Sequence, residues 1–149
     1  MTIRFNTHRL AAGFTLVELM ITLVVIAILT AVVVPSYQNQ VRKGHRTDAV
    51  GAISSILNGE ERYYADNVTY TNELAKLGMT VTGSGSSAYV TTDDGRYHIV
   101  ARACTGMTLT QCVEVEAKAQ GSQVNDGNLI ANTLGRAVRV LPDTTEVSW

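Results

Sequence analysis

Charge is scarce in this chain and neither sign prevails. Twelve lysines and arginines meet 13 acids over 149 residues, a formal net charge of −1 with only 17% charged residues. With no basic excess, nothing points to nucleic acid as a main partner. Cysteine is limited to Cys104 and Cys112, and a metal site would want more ligands than these two supply. Histidine is limited to His8, His45 and His98. None has a serine or cysteine at a spacing that suggests nucleophilic catalysis. Adjacent Glu60 and Glu61 point to different faces of a helix and so make no carboxylate pair. The expectation is a chain that is not an enzyme, with no cofactor and no metal.

What the chain does have is a long apolar run. From Phe14 to Val34 the only ionisable side chain is Glu18. As a helix this run spans about 31 Å, enough to cross a hydrocarbon core. A carboxylate in such a helix is expensive, which makes Glu18 the first residue to explain. The bland explanation is an interfacial carboxylate left in water. Before the run, "MTIRFNTHRLAAG" carries Arg4 and Arg9 with no acid. The small residues Ala11, Ala12 and Gly13 precede the apolar run, whereas an ordinary secretory signal places its cleavage site after it. A cut after Gly13 would leave the apolar helix on the mature chain and shift the formal charge from −1 to −3. The remaining residues, about 115, suffice for one small domain.

Gly13-Phe14-Thr15-Leu16-Val17-Glu18, the apolar run, Pro35 and then Ser36-Tyr37 together resemble the class III signal of type IV pilins, which type II secretion pseudopilins share. The resemblance implies that a prepilin peptidase cuts between Gly13 and Phe14 and N-methylates Phe14. It also implies that Glu18 meets the N-terminal amine of a neighbouring subunit, or of its own chain, during filament assembly. "YQNQVRKGHRTDA" and "ERYYADNVTYT" resemble type IVa minor pilins more than pseudopilins. In one respect the chain departs from that family: "NDGNLI" and the terminal "EVSW" hold no cysteine, so the usual C-terminal disulfide loop is not carried over.

Ala49, Ala52, Ile53, Ile56, Leu57, Glu60, Tyr63 and Tyr64 recur at helical spacing, an amphipathic stripe that only Glu60 interrupts. One helix from Phe14 to Tyr64 is therefore predicted, apolar all round in its first half and along one stripe in its second. Pro35 predicts a kink or local melting within it. Gly44, Gly51 and Gly59 weaken the helix and are read as easing close packing. The cluster Arg42 to Arg46 suits lipid headgroups or, as preferred here, a solvated helix face. From Asp66 to Gly95 the pattern lapses. "TGSGSSA" reads as a flexible loop, and "DDG" at Asp93 to Gly95 as a turn entering a strand that needs no calcium. "NVT" at Asn67 matches a glycosylation acceptor, a pattern too common to carry weight.

Tyr97 to Cys104 and Cys112 to Ala119 alternate as two strands. Setting the cysteines opposite each other places Arg102 across from Glu114 and Ala101 across from Val115, which suits both charge and packing. The reading is a Cys104–Cys112 disulfide in an oxidising compartment, with two free buried thiols as the alternative. A second hairpin is predicted from Leu129 to Leu141, turning near Leu134-Gly135. The C-terminal "PDTTEVSW" is read as coil or a short edge strand, and Trp149 as a packing residue.

The expected fold class is α+β, the pilin fold: a long N-terminal helix against an antiparallel sheet of about four strands. The expected organisation is a leader at 1–13, an apolar membrane or filament-core half-helix at 14–36 and a globular head at 37–149. The function implied is a structural subunit of a type IV pilus, a minor pilin. The alternatives are a type II secretion pseudopilin and a membrane-anchored binding domain that never polymerises. Expected partners are other pilin subunits through the N-terminal helix, the prepilin peptidase, the inner-membrane assembly machinery, and the membrane before assembly. The basic leader places the N-terminus in the cytoplasm and the head outside the inner membrane.

Overall fold

The structure is a computed structural model that describes residues 13–149. All of the expected leader except Gly13, including Arg4, His8 and Arg9, lies outside the described residues. The remainder divides at Asn39/Gln40 into two units.

One helix, α1 (Leu16–Asn67), supplies the whole of the first unit's regular structure and continues into the second. It passes through Pro35 without a break, so the melting expected there does not occur. Pro35 lacks the N–H that would bond the carbonyl four residues back, but the neighbouring turns hold the backbone helical. In the first unit the apolar side chains from Phe14 to Val34 are exposed all round. A window of this helix has a mean hydropathy of 2.8, long and apolar enough to cross a membrane.

The second unit is a six-stranded antiparallel sheet packed on the later turns of α1. Its strands are β1 (Val90–Thr91), β2 (Tyr97–Ala103), β3 (Val113–Ala119), β4 (Asn128–Asn132), β5 (Ala137–Val140) and β6 (Glu146–Ser148). They lie in the sheet in the order of the chain. Six strands, not four, is a correction. β1 is too short to show alternation in sequence, and β6 is the short edge strand weighed against coil.

The expected register of the central hairpin holds: Arg102 pairs with Glu114, and Ala101 with Val115. The Cys104–Cys112 disulfide closes its loop. The second hairpin, β4–β5, turns through Leu134-Gly135, where Gly135 adopts φ +88°. Alternate residues of the sheet (Tyr97, Ile99, Ala101, Val113, Val115, Ala117, Leu129 and Ala131) bury against Ala49, Ile53 and Ile56 of α1. Trp149 packs at the edge of this core, its indole N–H donating to the Ile130 carbonyl.

The helix glycines divide in role. Gly59 is buried against Leu77, whereas nothing lies near Gly44 or Gly51. Close packing therefore accounts for Gly59 alone, because a Cβ at either of the other two would meet open space. The 82–88 segment is bounded by a Thr82–Tyr89 bridge, and Asp93 to Gly95 forms the turn into β2, with the Gly95 N–H on the Thr92 carbonyl.

Candidate assembly site

Regular helix begins at Leu16, and its first turns carry the residues that the sequence singled out. The Thr15 hydroxyl accepts the backbone N–H of Glu18 at 3.2 Å, so Thr15 is the N-cap and Glu18 the third helical residue. This is half of a capping box, T-x-x-E. The signal stands plainly in the sequence, but the apolar run overshadows it. A carboxylate in the first turn also faces the positive end of the helix dipole. Glu18 therefore has a local reason to be acidic, besides any role in assembly.

Further along, the other polar side chains of the run are turned inward on the backbone. The Thr22 hydroxyl donates to the Glu18 carbonyl at 2.5 Å, and the Thr30 hydroxyl to the Ile26 carbonyl at 2.8 Å. Such hydroxyls need nothing from their surroundings. The Glu18 carboxylate has no hydrogen-bond or ionic partner in the described chain. Phe14 and Gly13 lie just ahead of the helix, both exposed. The arrangement is an apolar rod with one carboxylate unmatched among the described residues near its start, the fifth residue after the peptide bond expected to be cut. In hydrocarbon or in a protein core such a carboxylate wants a cation.

The head unit is held to the later turns of α1 by buried polar groups. Glu60, the residue that interrupted the apolar stripe, is fully buried, and its Oε2 accepts the Thr71 N–H at 2.9 Å. Oε1 has no partner. Burial pushes the carboxyl up to about 7, outweighing the opposing Thr71 hydrogen bond, and Glu61 adds to the rise. Asp126, also buried, accepts hydrogen bonds from Arg46, Gln123 and Arg139. The hydrogen bond to Asp126 is the main reason that the Arg46 guanidinium lies above its ordinary value. Arg46 thus ties α1 to the sheet as well as lying in the basic cluster. Partners 80 residues apart leave no spacing signal.

The structure brings none of the histidines into a nucleophilic constellation among the described residues. His98 stacks on Tyr89, and His45 pairs with Asp94. Burial pushes Asp94 up, but the Thr92 hydroxyl, the Arg96 N–H and His45 together hold its carboxyl below the usual range. Glu60 is buried and Glu61 exposed, as expected of adjacent positions on a helix.

Residues 35–130 match a family model described as "Type IV minor pilin ComP, DNA uptake sequence receptor", and residues 8–34 match the prokaryotic N-terminal methylation motif. Among curated proteins, the chain is 27% identical to fimbrial protein EcpC of Eikenella corrodens, over 78% of this chain and 77% of that one. It is 35% identical to a fimbrial protein of Pseudomonas aeruginosa, over 60% of this chain and 66% of that one. To the type II secretion system core protein G of Pectobacterium carotovorum it is 34% identical, over 47% of this chain and 45% of that one.

Proposed function

Because the chain belongs to the type IV minor pilin ComP family and is a structural subunit of a type IV pilus, we propose how it enters the fibre. A prepilin peptidase cuts between Gly13 and Phe14 and methylates the new amine on Phe14. Before assembly the helix anchors the subunit in the inner membrane, its head on the outer side. Glu18 then pairs with an N-terminal amine, in a neighbouring subunit or in its own chain. Residues 14–36 leave lipid for the core of the filament, with a bend at Pro35, while the head at 37–149 faces outward. The chain has no catalytic role in this reading.

The observation that carries the proposal is the Glu18 carboxylate, without a partner among the described residues in an otherwise apolar and self-satisfied run. Moving an apolar helix from lipid to protein gains little by itself. A charge pair that forms in only one stagger can set the register.

The test is to shear surface filaments from cells and search them by mass spectrometry for the peptide from Phe14 to Arg42. A methylated Phe14 in the sheared fraction is expected. An intact Gly13–Phe14 bond there would refute processing. Processed peptide confined to the membrane fraction would favour the pseudopilin alternative, to which the secretion core protein G lends its partial similarity.

A second reading rests on the description of the matched family, which would make duplex DNA a partner of the head. It departs from the expectation drawn from the charge balance, because net charge averages over faces that a ligand meets one at a time. Arg62 and Lys76 line one cleft of about 210 Å³ with Tyr63 and Asp66, a place where phosphates would find cations. Saturable binding of duplex DNA that weakens with salt would support this reading. An unchanged fluorescence anisotropy of labelled duplex at low salt would remove it.

A further inference from the structure

His45 and Asp48 stand three residues apart on α1, so their side chains share a face. The turn between β1 and β2 brings Asp94 to the same place, and His45 Nδ1 meets Asp94 Oδ2 there. One donor atom from each of the three residues lies within 4.8 Å of the others. The Asp94 carboxylate is fixed from behind: its Oδ1 accepts the Thr92 hydroxyl at 2.6 Å and the Arg96 N–H at 3.0 Å. Oδ2 is thus left for His45 and whatever joins it. Asp48 is exposed and has no hydrogen-bond or ionic partner in the described chain. A cleft of about 560 Å³ opens beside the group, with Asp48, Asp93 and Asp94 on its wall.

We propose that His45, Asp48 and Asp94 form a binding site for one divalent transition-metal ion of the Zn²⁺ type, linking α1 to the β1–β2 turn. Each part of the donor set argues for this class. Two carboxylates and a neutral imidazole carry two negative charges, which a divalent ion cancels and a single proton on His45 does not. The imidazole nitrogen selects zinc-like ions over calcium or magnesium, which prefer oxygen throughout. Three protein donors leave a fourth position open to water, and the cleft supplies the space. In a tetrahedral zinc site the donors sit about 3.4 Å apart. To reach that spacing the exposed Asp48 side chain must rotate inward and the His45–Asp94 contact, closer than two zinc ligands sit, must open to admit the ion. Asp94 is already oriented by its two donors, as metal-bound carboxylates are.

The ligands come from the helix and from a turn 46 residues beyond Asp48. The ion would therefore bind the folded head and not the unfolded chain, and so stabilise it. This goes beyond the pilus reading and does not depend on it. The competing arrangement is a plain imidazolium–carboxylate pair between His45 and Asp94.

The experiment uses the full chain, purified in detergent without a polyhistidine tag, stripped with EDTA and dialysed. ZnCl₂, MnCl₂ and CaCl₂ are titrated separately at pH 7.5, read by isothermal titration calorimetry and by thermal unfolding. The expected result is one Zn²⁺ per chain and a rise in Tm of about 10 °C at a hundredfold excess over Kd. Ca²⁺ should bind more weakly. Asp48→Asn should weaken Zn²⁺ binding by about tenfold or more. It should leave the Tm of the metal-free protein unchanged, since it spares the His45–Asp94 pair. Asp93→Asn should change neither. The proposal is overturned by a lack of saturable Zn²⁺ binding, by equal binding in Asp48→Asn and His45→Gln, or by Ca²⁺ binding more tightly than Zn²⁺.

Discussion

Glu60 lies where an apolar residue would serve the stripe of α1, and it is wholly enclosed. Its ordinary carboxyl value is 4.5, and burial raises it to about 7. Between these values the folded chain keeps a proton that the unfolded chain has released. Stability from this group is therefore complete below about pH 4.5 and is lost as pH rises through about 7. Glu60→Gln keeps an acceptor for the Thr71 N–H and has no charge to bury. At pH 8 it should be more stable than the parent by about 1–3 kcal/mol, and at pH 4 nearly equal to it. Urea unfolding of both proteins across this range checks the point; parallel curves would show that Glu60 does not titrate on folding. The residue was visible in the sequence as the one break in an apolar periodicity. Its partner was not, because the Thr71 N–H is a backbone group and leaves no letter to read.

Among the elements, the β2–β3 hairpin has the clearest source in sequence. Alternation fixes which residues face α1, the cysteines fix the register, and Arg102 opposite Glu114 agrees with both. Its disulfide closes a loop of nine residues, which the chain-entropy view values at roughly 2.5 kcal/mol. Cys104→Ser with Cys112→Ser should lower the stability of the head by about 2–3 kcal/mol and abolish the sensitivity of its Tm to reductant. Unfolding with and without dithiothreitol measures this, and a parent Tm indifferent to reductant would argue against the bond. Other elements were less legible for definite reasons. β1 has two residues and so no period. The Arg46–Asp126–Arg139 cluster joins positions 80 and 13 residues apart, and only the folded sheet brings them together. The half capping box at Thr15 and Glu18 was legible, yet a long apolar run draws attention from its own first turn.

For the molecule as a whole, two solvents meet in one chain: the apolar side chains of 14–34 need a cover that the head unit needs no part of. Glu18→Ala should leave cleavage and the head intact while excluding the subunit from sheared filaments by tenfold or more, about 1.4 kcal/mol of lost assembly preference. Immunoblots of the sheared and membrane fractions read this directly, and normal incorporation would end the pairing model. The topology of the head also has a consequence in time. Every strand lies beside its neighbour in sequence, so the sheet closes only short loops and contains no crossover to wait for. Low contact order of this kind speeds folding. A chain that emerges from one end can thus complete its sheet hairpin by hairpin, and the interval in which unpaired edges are open to other chains is kept short.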